Sequence, residues 1–160
     1  MNKADAIRAC GIFSGYSGDL ADQLAQYCTE REFEAGGEVF RAGTTGSSMF
    51  VVVTGMVRLV AATGDGHEEL LGSLVPGEHF GGVSLLKSGR HLVTAHATEG
   101  TELLELPRQA LIRLQKEKPQ LAVKTMFAVV TDLVKMLRDN ETFMLEALSG
   151  RIGERRGGDA

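Results

Sequence analysis

The spacing of apolar residues changes along the chain and divides it into regions. Residues 1–30 carry apolar side chains at helical spacing, which predicts a helical lead-in. Residues 31–106 form short runs rich in Val, Leu, Phe and Thr that end in Gly or Pro, as strands do. Helical spacing returns over 107–148, whereas the Gly- and Arg-rich residues 149–160 have almost no apolar side chains. This last pattern predicts a disordered tail.

The middle region has the pattern of a closed all-β structure. Glycine accounts for 20 of the 160 residues, and its glycines recur at short intervals between the apolar runs. The run MFVVV predicts a strand buried on both faces, and Gly-Asp-Gly at 64–66 predicts a tight hairpin. We expect about eight strands. The predicted fold class is therefore mainly β with flanking helices: a double-stranded β-helix (jelly-roll) barrel followed by a long C-terminal helix.

The flanking regions are predicted to contain four helices. Two short ones cover 4–10 and 18–29, a third covers 108–117, and a long helix runs from Pro119 to about residue 148. At 1.5 Å per residue the last helix is roughly 40 Å long, which exceeds what one barrel can cover. We therefore expect it to associate with a second copy of the chain.

A heptad pattern on the long helix predicts the residues of this dimer contact. They are Val123, Met126, Val130, Leu133, Leu137, Asn140, Met144 and Ala147. Asn140 is the single polar member, and such an Asn fixes the register and number of helices. The alternative is a helix packed only on its own barrel, which Phe127 and Val134 on a neighbouring stripe would favour.

Composition excludes several classes of protein. The net charge of −4 argues against a broad nucleic-acid-binding face, which would be basic. No stretch approaches ~18 uncharged apolar residues and the N-terminus is unlike a signal peptide, so a cytoplasmic protein without a membrane span is expected. Two cysteines, Cys10 and Cys28, are too few for an iron–sulfur cluster and predict reduced, partly buried thiols.

Neither a metal site nor an enzyme is expected. His91 and His96 are five residues apart on one predicted strand and so face opposite sides, while His67 and His79 lie near turns. The sequence lacks a Ser/His/Asp order, paired inward carboxylates or a Cys/His pair of the kind that catalysis requires.

The stretch PGEHFGGVSLL, which begins at Pro76, is a Gly-rich loop leading into one helical turn. Amide groups at the start of such a turn can face a phosphate, and paired glycines allow close approach of the backbone. The predicted phosphate-binding residues are Gly81, Gly82, Val83, Ser84 and Leu85, followed by Arg90 and His91.

The order of these features resembles the cyclic nucleotide-binding domain of the catabolite activator protein (CRP/FNR) family of bacterial regulators. The resemblance covers about residues 4–148. In it, IFSGYSGD resembles the lead-in, FEAGGEVFRAGTTGSSMFVVVTGMVRLV the first strands, and VPGEHFGGVSLL the phosphate-binding cassette. The resemblance implies a regulatory sensor that dimerises through its long helix and takes a cyclic nucleotide or another small anion, with no other cofactor.

The sequence departs from the family pattern at the binding positions. The resemblance puts Gly82 where the family has a ribose-binding Glu, and His91 where it has a phosphate-binding Arg; an arginine occurs one residue earlier, at Arg90. Since neighbouring strand residues face opposite sides, either Arg90 or His91 faces the pocket. The family's base-contacting positions on the long helix fall at Met136 and Leu137, which are apolar. Weak or altered ligand binding is therefore expected.

Three functions remain open at this point. The first is a regulatory sensor with weak or altered ligand binding. The second is a ligand-independent dimerisation or partner-docking domain that kept the fold and lost the ligand. The third is the sensor half of a transcription regulator, because the family's helix-turn-helix does not follow the long helix here. In every case this chain alone is expected not to bind DNA.

Overall fold

The structure is a computed structural model that describes residues 2–158, with side chains described for residues 2–141. The helices are α1 (Lys3–Ala9), a 3-10 helix (Gly11–Phe13), α2 (Gly18–Ala25), α3 (Gly82–Leu86), α4 (Arg108–Glu117) and α5 (Pro119–Gly158). The strands are β1 (Thr29–Phe33), β2 (Glu38–Phe40), β3 (Thr45–Gly46), β4 (Ser48–Thr54), β5 (Val57–Ala62), β6 (Glu68–Leu74), β7 (His79–Phe80), β8 (Gly89–Arg90), β9 (Thr94–Ala97) and β10 (Thr101–Pro107).

Side-chain caps begin both lead-in helices. The Asn2 side chain accepts a hydrogen bond from the Asp5 amide at 2.9 Å in α1, and Ser17 caps α2 in the same way. The prediction of one helix over 18–29 is wrong at its end, because α2 stops at Ala25 and the chain enters β1 at Thr29. Thr29 and Glu30 pair with β10 as part of β1. The barrel therefore begins two residues before the predicted boundary at 31.

Two four-stranded antiparallel sheets form the jelly roll. Their strand orders are β1-β10-β4-β7 and β2-β9-β5-β6, and β3 pairs separately with β8. The predicted fold class is confirmed, although the described residues contain ten strands where about eight were expected. The difference arises because β3, β7 and β8 have two residues each, which is too short for an alternating pattern to appear in the sequence.

Strand β4 lies at the centre of the packing. Met49, Phe50, Val51 and Val52 are all buried, which confirms the prediction for the run MFVVV. Since successive side chains point to opposite faces, Met49 and Val51 pack with the helices, whereas Phe50 and Val52 pack between the two sheets. One strand thus joins the two parts of the core.

The Gly-Asp-Gly hairpin is confirmed between β5 and β6. Gly66 has φ +85°, and the Thr63 amide donates to the His67 carbonyl at 2.7 Å. The two cysteines are free and buried, as predicted. Burial raises the pKa of Cys10 to about 11 and that of Cys28 to about 12, so both thiols are protonated at neutral pH.

Helix α5 begins at Pro119, as predicted, and lies on the lead-in and on α4. Its contact face includes the buried Thr125, whose hydroxyl shares a 2.9 Å hydrogen bond with Tyr16. The backbone is helical to Gly158, and the disordered tail expected over 149–160 stays a prediction. No proline follows Pro119, and each glycine costs a helix only about 1 kcal/mol. Within the described residues, no helix is both long and apolar enough to cross a membrane.

Candidate ligand-binding site

The predicted phosphate-binding turn lies where β7 leads into α3. Gly81 precedes α3 with φ +85°, and a β-carbon there would lie 2.5 Å from the Ser48 carbonyl oxygen. Only glycine fits both constraints. Leu85 is buried and fixes the helix in the core, Ser84 is half-buried, and Val83 is exposed. The turn is thus built by the fold around glycine and one apolar anchor.

No side chain caps the start of α3. The first amide groups of a helix have no partner within it, so these N–H groups are the polar groups that the turn offers to a ligand. An anion is the ligand class that such amides favour. A charged side chain beside them would be needed for tight binding.

Gly82 is the position where α5 meets the turn. A β-carbon on Gly82 would lie 3.1 Å from Cγ1 of Val129, a residue of α5 that is only 2 % exposed. The absence of a side chain at 82 therefore lets Val129 pack directly over the start of α3. Any larger residue at this position must displace the valine by a few tenths of an ångström.

His91, and not Arg90, is turned toward the barrel. The imidazole lies parallel to the ring of Phe40, with centroids 3.6 Å apart and an interplanar angle of 7°. It also covers Gly46, where a β-carbon would overlap the imidazole ring. Burial lowers the pKa of His91 below its usual value of 6.5, so the ring is neutral at pH 7.

Arg90 is exposed and pairs in register with Thr45 in the short β3–β8 ladder. His91 follows the end of β8 and is held by the loop before β3, where its amide donates to the Thr44 carbonyl at 2.9 Å. His91 and His96 do not share a strand, since β9 begins only at Thr94. Alternation along a strand therefore does not relate the directions of these two side chains.

An aromatic cluster fills the space beside His91. Phe40, Phe50 and Phe80 have ring centroids 5.2–6.3 Å apart, and Phe50 stacks on Phe80 across the β4–β7 pair. Phe40 was not among the site residues expected from the sequence. The signal for it was weak, because a lone aromatic residue in a three-residue strand is also typical of an ordinary core.

The positions predicted to contact a base, Met136 and Leu137, do not lie over the turn. Both are exposed, and Met136 borders a cavity of about 510 Å³ together with His79 and Asp132. The α5 residue over the turn is Val129, seven positions earlier. The assignment of Met136 and Leu137 as base-contacting positions, made by an ungapped placement from the start of α5, stays a prediction.

One further contact joins α5 to the strand before the turn. Nε2 of His79 lies 3.4 Å from Oδ2 of Asp132, and both side chains are largely buried. Val129 and Asp132 are three residues apart and so share a helix face. The same face of α5 thus contacts both the turn and the strand that leads into it.

The predicted dimer residues divide into two groups in the structure. Val123, Val130 and Leu137 are exposed, whereas Met126 and Leu133 pack against the core of their own domain. Met126 and Leu133 are only partly buried by their own domain, so their place in a dimer contact stays a prediction. Asn140 is exposed, and the side chains of Met144 and Ala147 lie outside the described residues.

The exposed apolar residues form a different heptad, which we call the apolar stripe. Its members are Val123, Phe127, Val130, Val134 and Leu137. They are spaced alternately by four and three residues, as in a coiled-coil contact. Phe127 is 73 % exposed. Phe127 and Val134 are exposed beside the predicted positions Met126 and Leu133, because the heptad pattern alone does not show which of two adjacent stripes faces the barrel.

Comparison with known proteins identifies the class of this fold. The family model of the cyclic nucleotide-binding domain matches residues 30–118, and the chain belongs to this family. Its relatives include regulators of the CRP/FNR type. The chain is 35% identical over 111 residues to the cyclic AMP receptor protein of Thermus thermophilus. The aligned region covers 69% of this chain and 51% of that protein.

Two further similarities agree with this assignment. The transcriptional activator protein FnrA of Stutzerimonas stutzeri is 32% identical over 126 residues, covering 79% of this chain and 49% of that protein. The crystal structure of the Thermus thermophilus catabolite activator protein superposes with a TM-score of 0.75 at 33% identity, covering 86% and 62% of the two chains. The chain spans about half the length of these curated relatives.

Proposed function

We propose that this chain is a regulatory sensor domain that dimerises through α5 and binds cyclic nucleotides weakly. The observation that carries the weak binding is the state of His91, which is neutral and stacked on Phe40. The position that the family resemblance assigns to the phosphate-pairing arginine therefore supplies no charge at neutral pH. Gly82 likewise supplies no carboxylate for a ribose hydroxyl.

The size of the loss follows from the two missing contacts. A hydrogen bond to a charged group contributes about 1.5–3 kcal/mol. Loss of two such contacts lowers affinity by about 10²–10⁴-fold. The backbone amides of α3 remain, so we expect weak binding in place of complete loss.

Dimerisation is supported by the apolar stripe. It gives α5 a second apolar face, opposite the one that packs on the domain through Val129 and Thr125. A helix with both faces apolar buries the second one against a partner. A second copy of the chain, with the two stripes in contact, is the arrangement we propose.

Calorimetry with cyclic AMP tests the proposed binding. Wild type is compared with the double variant Gly82→Glu/His91→Arg, which restores both charged groups and should bind at least 100-fold more tightly. The variant Gly82→Gln/His91→Gln is the matched control, because it adds similar bulk without charge. Tight binding by wild type would refute the proposal.

The packing of Val129 decides how a negative result is interpreted. If the double variant does not bind, the same substitutions are made with Val129→Ala, which opens the space over residue 82. Binding only in this triple variant would show that α5 closes the site. No binding in the triple variant would contradict the proposal that the lost charges weaken the site.

A second function, ligand-independent dimerisation and partner docking, is favoured by the contact between Val129 and Gly82. The valine packs against the start of the turn proposed to hold the phosphate. A thermal-shift series separates the two functions, since a ligand at 100 times its Kd stabilises the folded state by about 2.7 kcal/mol. A melting temperature unchanged by saturating cyclic nucleotide would favour docking.

We propose no catalytic role and no DNA binding for this chain by itself. The net charge of −4 disfavours association with a polyanion. The chain spans about half the length of its regulatory relatives. A role as the sensor half of a longer transcription regulator agrees with this span. A salt-sensitive mobility shift with duplex DNA at low micromolar protein would contradict the absence of DNA binding.

A further inference from the structure

A cavity of about 450 Å³ opens between α4 and the turn that joins α2 to β1. It is lined from the turn by Gln26, Tyr27, Cys28 and Thr29. None of the residues of the cassette borders it. The cavity is therefore separate from the site described above, and we call it the α4 cavity.

The charge of the α4 cavity differs from that of the chain. Its charged lining residues among those the structure describes are Arg113 and Lys116, and both are cations. The chain as a whole carries a net charge of −4. By contrast, the 510 Å³ cavity beside α5 combines Lys135 with the carboxylates of Glu78 and Asp132. The two lining cations favour an anion, and the neighbouring carboxylate of Glu117 offsets part of their charge.

Helix geometry explains why these side chains converge. Gln109, Arg113 and Lys116 follow one another at spacings of four and three residues, so they share one face of α4. Leu111 and Leu114 are buried on the other side and fix the rotation of the helix in the core. The face that borders the cavity is thus set by packing.

Two side chains lie near the guanidinium of Arg113. Its guanidinium carbon lies 5.0 Å from the centroid of the Tyr27 ring, and its Nε lies 3.9 Å from a carboxylate oxygen of Glu117. The Tyr27 hydroxyl donates to the same carboxylate group. The two terminal Nη groups have no hydrogen-bond partner within residues 2–141. The Arg113 side chain is 58 % exposed, so these Nη groups are accessible to a ligand.

We propose that the α4 cavity binds a small organic phosphate. The paired Nη groups of Arg113 match two phosphate oxygens, and the ammonium of Lys116 supplies a second charge. The remaining volume is bordered by the apolar side chains of Pro107, Ala110 and Ile112, which suit the organic part. A volume of 450 Å³ falls within the range of small-molecule sites, about 300–1,000 Å³. This site does not depend on the function proposed above.

Amide NMR titration tests the proposal with glycerol 3-phosphate and inorganic phosphate as probes. We expect saturable shifts at the amides of Tyr27, Cys28 and Thr29, with tighter binding of the organic probe. Arg113→Gln and Lys116→Gln should each weaken binding about tenfold. Lys87→Gln removes an exposed charge at the end of α3, outside the lining of the α4 cavity, and serves as the control that should bind as wild type does.

The outcomes separate a specific site from general attraction. Equal weakening by Lys87→Gln, linear shifts without saturation, or shifts confined to the amides of α3 would each overturn the proposal. Equal affinity for both probes would overturn the assignment of an organic ligand. Arg113→Lys keeps the charge but loses the paired donors, so it should fall between wild type and Arg113→Gln. Lys116 is exposed, so its variant keeps the test valid if the Arg113 variants do not fold.

Discussion

The imidazole of His91 lies flat on the ring of Phe40, with the two centroids 3.6 Å apart. This contact turns a side chain that could pair with phosphate into a member of the aromatic cluster inside the barrel. Protonation would place a charge in this partly buried position, and burial accordingly lowers the pKa. His91 is therefore a packing residue at neutral pH.

The stability of the domain should fall as the solution is acidified. A histidine whose pKa is lower in the folded than in the unfolded state stabilises the fold above its unfolded value of 6.5. That contribution is lost as pH falls through the lower folded value. Melting temperatures measured between about pH 8 and pH 5 should thus decline more for wild type than for His91→Gln. Identical pH profiles would contradict this assignment.

Gly81→Ala should destabilise the domain, because alanine is strained at φ +85° and its β-carbon would approach the Ser48 carbonyl to 2.5 Å. We expect a loss of about 1–3 kcal/mol in the free energy of unfolding, measured by urea denaturation. Gly89→Ala is the control, since a β-carbon there meets nothing within 4 Å. Equal losses for the two variants would show that the turn is not constrained as described.

Phe127→Glu should produce a folded monomer. The residue is 73 % exposed in the isolated chain, so a charge there costs the monomer little but is repelled within a dimer contact. Light scattering reports the mass, and circular dichroism reports the fold. Thr131→Glu introduces the same charge at an exposed position outside the apolar stripe and should remain dimeric. A dimeric Phe127→Glu variant would show that the stripe is not the contact.

Leu133→Glu should behave differently from Phe127→Glu. Leu133 is partly buried against the core of its own domain, so a carboxylate there loses apolar packing and some solvation and destabilises each copy of the chain. We expect a melting temperature well below that of wild type, whatever the mass in solution. A folded, stable monomer would instead support the dimer contact first predicted from the heptad pattern.

The sequence by itself determined the class of fold and the order of its parts. Glycine between short apolar runs indicated the barrel, the run MFVVV indicated its most buried strand, and Pro119 marked the start of α5. These features are local, because turn chemistry, strand alternation and helix starts depend on residues that are close in the chain. The two glycines of the cassette could be recognised for the same reason.

Only the tertiary structure decided which side chains meet. His91 faces Phe40 because the chain leaves β8 before it, so strand alternation does not extend to this residue. Phe127 is exposed and Met126 packed because contacts with the barrel, which come from distant parts of the chain, set the rotation of α5. Val129 lies over Gly82 for the same reason. A periodic pattern fixes the spacing of residues along an element, whereas packing against other elements fixes the direction in which each face points.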